Sequence, residues 1–325
     1  MEQRKWLDKP YNNLDAYLKK IYGHKIYKIA IDGGCTCPNR DGVIGTGGCI
    51  FCSKGGSGEY AAPFNKDNPS VLAQLEAGRE LIISKMGASE KGYIAYFQPY
   101  SNTYAPVDYL RKLYTEALDD EECVGLSIAT RPDCLPDEVI YLLDELCDEY
   151  PDKFIWVELG LQTIHRTTAE LINRGYDLSV FEDAVRKLTN ISIPIIVHMI
   201  LGLPGETPEM MLAGIEYLNT FPIFGIKLQL LHVLRDTKLE SMYNERFFDV
   251  LTQEEYTDIL IKCLEKLCPD IVVHRVTGDG PSSQLIAPLW SLNKKNVLNT
   301  LLKEMKERNT WQGRLYENSG FFNVI

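Results

Sequence analysis

Short apolar segments alternate with amphipathic segments along most of this 325-residue chain. The apolar segments have the length of β-strands and fall at 26–31, 93–98, 124–129, 154–160, 193–199 and 226–231. Helical patterns lie between them, at 70–86, 107–118, 137–149, 168–173, 180–188 and 208–218. Such alternation is typical of parallel βαβ units, because a parallel connection needs a crossover long enough to hold a helix. Six units are too few for a closed eight-unit barrel. The pattern therefore predicts an α/β fold, a partial (β/α)6 TIM-type barrel, with a doubly wound sheet as the alternative.

The C-terminal part of the chain departs from this alternation of strands and helices. It offers a helix at 254–267, a strand at 271–276 and a helix at 292–308, with no low-complexity linker before them. We predict a core over 1–246 that includes an N-terminal helix, and a small C-terminal α/β extension over 247–325 packed on that core. Both candidate folds place the active site at the carboxyl ends of the strands.

Composition and charge distribution bear on the cellular location of the protein and on the charge of its substrate. No apolar run approaches the roughly 20 residues that span a bilayer, and residues 1–11 lack the apolar region of a signal peptide. We expect a cytoplasmic protein without a membrane partner. The formal net charge of −11 argues against a polyanionic substrate, but residues 1–28 carry seven Lys or Arg against three acids, and 294–325 carry six against three. If the two ends meet, they form a phosphate-binding patch; solvated helix faces explain the charges equally well.

A glycine-rich loop at 33–58 follows the first strand and contains Cys37, Cys49 and Cys52, spaced C-x11-C-x2-C. A loop of this length needs an external group to order it, and cysteines in a cytosolic chain indicate thiols or metal ligands. Thiolates bind iron–sulfur clusters, and glycines let the backbone approach the inorganic core. Three thiolates on a [4Fe-4S] cluster leave one iron open to chelate S-adenosyl-L-methionine. One electron then releases a 5′-deoxyadenosyl radical that removes a hydrogen atom from the substrate.

Two alternatives concern the same loop. Cys35 either replaces Cys37 as a ligand or acts as a fourth ligand that closes the cluster. Four thiolates would also suit zinc, although zinc ribbons usually show two C-x2-C pairs and this loop has one.

Several motifs together resemble one protein family. They are Cys-Pro-Asn-Arg-Asp-Gly at 37–42, Gly-Gly-Cys-Ile-Phe-Cys at 47–52, and the segments 130–133, 158–163, 173–175 and 198–207. The combination resembles the YhcC/YtqA family of radical S-adenosylmethionine proteins, which is related to the catalytic subunit of Elongator. The position of Cys35 is usually not cysteine in that family, so the resemblance favours Cys37, Cys49 and Cys52 as the catalytic cluster ligands.

Further polar or glycine residues stand at the predicted strand ends. Arg131 is placed to meet a carboxylate or phosphate. Glu158 shares a strand face with Trp156 and lies in an apolar segment, so it needs a partner: a ribose hydroxyl pair, or a buried salt bridge with Arg174 or Lys227. We predict that the cofactor contacts comprise Gln98, Arg131, Glu158, Gln162, Gly202 and Leu203, with the last two bringing backbone close to adenine. The predicted substrate contacts are His198, His232, Arg235, His274 and Arg275.

The resemblance also implies a substrate. The resemblance to Gram-positive YtqA-type members (MnmL) implies that the protein modifies the tRNA wobble uridine. The implied reaction converts the 5-carboxymethylaminomethyl side chain of that uridine to 5-aminomethyl. The implied partners are the tRNA anticodon arm held by the basic termini, an electron donor such as flavodoxin or ferredoxin, and a tRNA methyltransferase that acts next. The alternatives are a radical enzyme acting on a small metabolite or protein, and a non-catalytic zinc or iron–sulfur scaffold.

Overall fold

A computed structural model describes residues 5–56, 58, 61, 70–83, 92–278 and 280–317. All six predicted strands form, as β1 (Tyr27–Ile31), β2 (Tyr93–Phe97), β3 (Cys123–Thr130), β4 (Phe154–Gln162), β5 (Ile195–Leu201) and β6 (Gly225–Leu230). Three more strands follow, β7 (Val233–Leu234), β8 (Val272–Arg275) and β9 (Leu285–Ala287).

Helices precede or connect these strands. The first seven are α1 (Leu14–Tyr22), α2 (Val71–Ile83), α3 (Val107–Leu118), α4 (Asp137–Glu149), α5 (Arg166–Leu171), α6 (Leu178–Asn190) and α7 (Pro208–Leu218). The last three are α8 (Lys238–Asn244), α9 (Gln253–Lys266) and α10 (Lys294–Glu307). Residues 84–86 of the predicted helix 70–86 lie outside the described residues. No helix in the described ranges is long and apolar enough to cross a bilayer.

The main sheet is parallel and has the order β1-β2-β3-β4-β5-β6-β8. A doubly wound sheet reverses its strand order at a switch point. This order never reverses, so the partial barrel is confirmed and the doubly wound alternative is wrong. The seventh strand, β8, is the strand predicted at 271–276, and it extends the sheet because α9 provides one more crossover from β6. The division of the chain into 1–246 and 247–325 stays a prediction.

The two faces of the sheet differ in polarity. The face that packs against the helices is apolar, and β4 presents Ile155, Val157, Leu159 and Leu161 to it. The inner face carries polar side chains toward the carboxyl ends of the strands. At the opposite end, a cluster that includes Leu18 of α1 fills the barrel with Ile26, Ile94, Trp156 and Ile196. Because α1 closes the amino end, the inner face is reached from the carboxyl ends.

The two ends of the chain meet through Gln312, which is fully buried. Its amide donates to the carbonyls of Cys268 and Ile271, at 2.8 and 2.9 Å, and its oxygen accepts from the Asn12 amide at 2.8 Å. Asn12 in turn accepts a backbone bond from Val273 in β8. The side chain therefore links the segment before α1 to the segment that leads into β8.

This junction shows where several of the basic residues lie, while their predicted role stays a prediction. The described ends do meet, but they do so beside α1, at the amino end of the barrel. Lys19 and Lys20 lie on that helix, while Arg308 and Arg314, after α10, pair with Asp258 and Glu265. Lys19, Lys20, Arg308 and Arg314 therefore lie opposite the carboxyl ends of the strands, whereas Lys28 of β1 reaches Glu158 on the inner face and Lys294 begins α10.

We expect Gln312→Ala to lower the free energy of unfolding by about 2–4 kcal/mol, because it leaves two buried carbonyls and one buried amide without partners. The measurement is urea unfolding followed by circular dichroism. Glu307→Ala, at an exposed position of α10, is the control and should change stability by less than about 0.5 kcal/mol. Equal effects of the two substitutions would contradict the assigned role of Gln312.

Candidate active site

The cysteine loop is anchored on both sides of its C-x2-C turn. The Ile50 amide donates to the carbonyl of Ile172 at 3.1 Å, and the Ile50 carbonyl accepts from the Leu239 amide at 3.0 Å. The Ile50 side chain is buried in a separate apolar cluster with Ile172, Leu203 and Leu231. The loop is therefore held by the end of α5, the turn after β5, the end of β6 and the start of α8.

Two asparagines add a second set of contacts to this loop. The Asn173 amide donates to the carbonyl of Gly48 at 2.8 Å, and the Asn39 amide donates to the carbonyl of Asn173 at 2.6 Å. Asn39 also lies 3.8 Å from the sulfur of Cys49. Gly48 has a positive φ of 77°, and a Cβ there would lie 2.7 Å from Arg40, so glycine is required for this close approach.

The three predicted ligands line one pocket. Cys37, Cys49 and Cys52 share it with Arg131. Burial raises the pKa of the Cys49 thiol to about 12, with Cys52 adding to the rise and Arg131 opposing it. Arg131 is held by Asp133 in a two-point ion pair of 2.8 and 2.7 Å and lies over the Tyr176 ring. A cation is thus fixed beside the thiols.

Cys35 lies in a different environment from Cys37. It is 8% exposed, belongs to the main apolar core and points its thiol toward the carbonyl of Gly33 at 3.9 Å. It is absent from the residues that line the thiol pocket. Burial raises the pKa of the Cys35 thiol to about 12.

The floor of the pocket is an ion network centred on Glu158, which has no exposed surface. Lys28 and Ser127 reach one carboxylate oxygen at 2.8 and 2.6 Å. His198 lies 2.7 Å from the other oxygen, and Lys227 donates to it as well. Lys227 also donates to the Tyr96 hydroxyl at 3.0 Å. The predicted salt bridge with Lys227 is therefore present, whereas Arg174 instead donates to the carbonyls of Leu161, Thr163 and Tyr176.

The charges of this network follow from burial and proximity. Burial opposes ionisation of Glu158, but the attraction of Lys227 and Lys28 outweighs it and holds the pKa of that carboxyl well below its usual range. Burial lowers the pKa of Lys28 and, to a greater extent, that of Lys227. Burial, with Lys227, lowers the pKa of His198 to about 4. A neutral His198 ring can donate its Nε2–H to the Glu158 carboxylate.

Most of the predicted site residues lie around this pocket, which has a volume of about 230 Å³. The predicted residues that line it are Cys37, Cys49, Cys52, Gln98, Arg131, Glu158, Gln162, His198, His232 and Arg275. The structure thus brings together residues from the cysteine loop and from six strands of the main sheet or the residues that directly follow them.

Four predicted residues lie elsewhere. Gly202 has a positive φ of 88° in the turn after β5, and the next residue, Leu203, packs in one cluster with Ile50, so this turn supports the cysteine loop through Leu203. Arg235 is exposed beyond β7. His274 packs edge-on against Trp156 and Phe224, at ring distances of 5.4 and 5.7 Å. Its side chain follows the alternation of β8 onto the inner face, but nearer the closed end of the barrel.

Sequence reasoning missed several residues of the site. Tyr96 lines the floor, Lys28 donates to Glu158 from outside the pocket lining, and Arg40 donates to the Cys52 carbonyl at 3.0 Å. The same strand alternation that placed Glu158 on the inner face would have identified Lys28 in β1 and Tyr96 in β2. Nothing in the local pattern around Asn173 indicates that it binds a loop more than 100 residues away.

The donor set suits a cluster better than a single ion. Within the described part of the chain, no three His, Cys, Asp or Glu side chains are grouped so as to hold one metal ion. A four-iron cluster makes a different demand, because each thiolate binds its own iron and the sulfurs stand farther apart. The three thiols open on a common pocket, beside a loop of glycines and an amide near the Cys49 sulfur. These are features of protein sites for iron–sulfur clusters.

Comparison with known proteins gives consistent matches. A family model described as the Radical SAM superfamily matches residues 40–218, and one described as the Radical_SAM C-terminal domain matches 223–307. YtqA of Bacillus subtilis is 41% identical, over 95% of this chain and 94% of its own length. Protein YhcC of Escherichia coli K12 is 34% identical, over 89% of this chain and 90% of its own length.

Two more distant matches cover a smaller part of the relative's own length. The tRNA uridine(34) acetyltransferase of Dehalococcoides mccartyi is 29% identical, over 51% of this chain and 36% of its own length. The solved structure of the archaeal Elp3 of Methanocaldococcus infernus superposes with a TM-score of 0.68 and 18% identity, covering 88% of this chain and 64% of that one. At this identity the superposition shows a shared fold.

We expect Lys227→Met to lower the free energy of unfolding by about 3–5 kcal/mol, because it removes one cation from a buried carboxylate. Adding Glu158→Gln should restore at least half of the loss. Urea unfolding of both variants and of Glu158→Gln completes the cycle. Lys187→Met, which removes a surface pair with Asp137, is the control and should cost less than about 1 kcal/mol. Single and double variants that lose stability additively would show that the two side chains are not coupled.

Proposed function

Because the chain belongs to the radical S-adenosylmethionine superfamily, we propose that Cys37, Cys49 and Cys52 hold its [4Fe-4S] cluster and that the adjoining pocket binds S-adenosyl-L-methionine. The observation that carries this assignment is the opening of three thiols on one pocket, above a charged floor and beside Arg131. The chain matches the superfamily model over more than half its length. Cys35 takes no part in this assignment, since it packs in the apolar core.

When bound, the cluster and S-adenosyl-L-methionine supply a 5′-deoxyadenosyl radical, which removes a hydrogen atom from the substrate. The chain contributes binding and orientation. Arg131, fixed by Asp133, provides positive charge for the methionine carboxylate, and Gln98 and Gln162 offer amides at two strand ends. The Glu158 network holds Lys227 at the floor of the pocket, where S-adenosyl-L-methionine would bind, and Lys28 supports the carboxylate from behind. Gly202 and Leu203 act indirectly, by supporting the loop that carries Cys49.

We propose that the substrate is the wobble uridine of tRNA, whose 5-carboxymethylaminomethyl side chain is converted to 5-aminomethyl. Similarity to YtqA over nearly the whole chain supports this substrate, as does the partial match to a tRNA uridine(34) acetyltransferase. The tRNA would enter by its anticodon arm from the carboxyl ends of the strands. The proposal includes a cytoplasmic setting, an electron donor such as flavodoxin or ferredoxin, and a tRNA methyltransferase that acts on the product.

A radical enzyme acting on a small metabolite or protein is the second candidate. One observation favours it: four basic residues near the two ends, Lys19, Lys20, Arg308 and Arg314, lie toward the amino end of the barrel, and Lys28 and Lys294 lie nearer the pocket. The salt dependence of tRNA binding separates the two, because phosphate contacts make affinity fall steeply as salt rises. Absent or salt-independent binding would favour the second candidate.

We expect Cys37→Ala to lose most of its iron and all 5′-deoxyadenosine formation, since it removes a cluster ligand. Cys35→Ala is the matched variant and should keep about four irons and near-normal cleavage. Both proteins are purified anaerobically and assayed for iron, visible absorption and 5′-deoxyadenosine after reduction. Iron lost from Cys35→Ala and retained by Cys37→Ala would reverse the ligand assignment.

Deleting the gene should raise 5-carboxymethylaminomethyluridine in tRNA at the expense of 5-methylaminomethyluridine, because the intermediate amine is no longer made. Nucleoside analysis of bulk tRNA by mass spectrometry measures the ratio. Complementation with the wild-type gene should restore it, and complementation with Cys37→Ala should not. An unchanged ratio in the deletion strain would refute the tRNA substrate.

A further inference from the structure

The pocket has a second cationic end, separate from the thiols. His232 follows β6, and Arg275 is the last residue of β8; both line the pocket that the cysteines line. His232 also lines an adjoining cavity of about 150 Å³, to which Lys294 at the start of α10 contributes. Arg131 acts electrostatically on Cys49, whereas Arg275 acts on His232, on Lys294 and on the cations of the Glu158 network. The two ends of the pocket therefore carry different cations.

One nitrogen of the His232 ring already accepts a hydrogen bond from the backbone. The backbone N–H of Gly280 donates to Nδ1 at 3.2 Å, so Nδ1 is the acceptor and the ring proton resides on Nε2. Burial, with Lys294 and Arg275, lowers the pKa of His232 to about 4, which keeps the ring neutral. Gly278 and Gly280 pack directly on the ring, where a Cβ would come within 2.4 and 2.8 Å of it. Glycines at these positions therefore let the backbone fix the ring.

The Nε2–H of His232 is a buried donor without an acceptor among the described residues. Such a donor costs about 1–3 kcal/mol unless something accepts from it. Among the described residues, Arg275 and Lys294 place positive charge near the ring, so an anionic acceptor suits the position. Because Nε2 is buried, the group that reaches it stands at the tip of an extended side chain, which the phosphodiester backbone of a nucleic acid does not provide.

We propose that His232 and Arg275, with Lys294 at the rim, form a subsite for a carboxylate carried on the substrate's reacting side chain. The inference rests on the proposed function, in which that group is the carboxylate of the 5-carboxymethylaminomethyl side chain. With the carboxylate at this end and the thiols at the other, the carbon next to the carboxylate faces the cofactor. The subsite thus selects the substrate over the 5-aminomethyl product, which lacks the anion.

The test compares two fluorescent anticodon stem-loops on the cluster-loaded enzyme with S-adenosyl-L-methionine, without reductant. One carries 5-carboxymethylaminomethyluridine and the other its neutral carboxamide, which has nearly the same shape. By fluorescence anisotropy the wild type should bind the carboxylate RNA about tenfold more tightly, as expected for a charge-assisted contact. Arg275→Gln should reduce the preference to less than about twofold, and His232→Phe should reduce it about threefold. Lys295→Gln, an exposed neighbour of Lys294, is the control and should keep the wild-type preference.

The outcomes separate this subsite from the proposed function. Equal wild-type affinity for both RNAs overturns the subsite and leaves the tRNA function standing. Equal weakening of both RNAs by Arg275→Gln overturns it too, since that is the behaviour of a backbone phosphate contact. Absence of binding to either RNA overturns the tRNA function and the subsite with it. If Arg275→Gln fails to fold, as judged by circular dichroism, the wild-type comparison and His232→Phe decide the question.

Discussion

A single carboxylate inside the barrel constrains the arrangement of six strands. Glu158 of β4 is completely buried, and each of the other five strands contributes one residue to its network: Lys28, Tyr96, Ser127, His198 and Lys227. A one-residue slip of any strand would turn its contribution to the apolar face that the helices cover. The need to neutralise the Glu158 carboxylate therefore fixes the register of these six strands. The same ion network forms the floor of the candidate active site.

The sequence was most informative where a repeating pattern was present. Alternation of strands and helices predicted the partial barrel, and strand periodicity placed Glu158 inside it. The partners of Glu158 depend on which strands become neighbours in the sheet. The sequence therefore indicated Lys227 and Arg174 as alternative partners and did not reveal Lys28. His274 and Arg275 are adjacent in the sequence and both reach the inner face, because the pairing register of β6 and β8 shifts between Ile226 and Lys227. Only Arg275 lines the pocket, since His274 lies nearer the closed end of the barrel. The contacts between the two terminal segments likewise depend on tertiary packing, which cannot be predicted from the number of charges in each segment.

Support for the cysteine loop comes from distant parts of the chain. Asn173 and Ile172 hold one side of it and Leu239 holds the other, while Leu203 and Leu231 receive the Ile50 side chain. The segments 173–175 and 198–207 thus act partly as structural supports, which explains how Gly202 and Leu203 serve the site without lining the pocket. The positions of the thiols are well defined because several well-packed elements contact the turn that carries Cys49 and Cys52.

This dispersed support has a consequence for how the protein is made. Ribosomes release the chain from its amino end, so Cys37, Cys49 and Cys52 emerge long before the Leu239 amide that completes the binding of their turn. The edge of β6 also stays open until β8 is synthesised, and the contacts of Asn12 with Gln312 close last of all. Nascent chains therefore expose three unsupported thiols during most of translation. On the proposed assignment, the cluster is therefore inserted after the polypeptide is complete, and the thiols need protection from oxidation and from other metals until then.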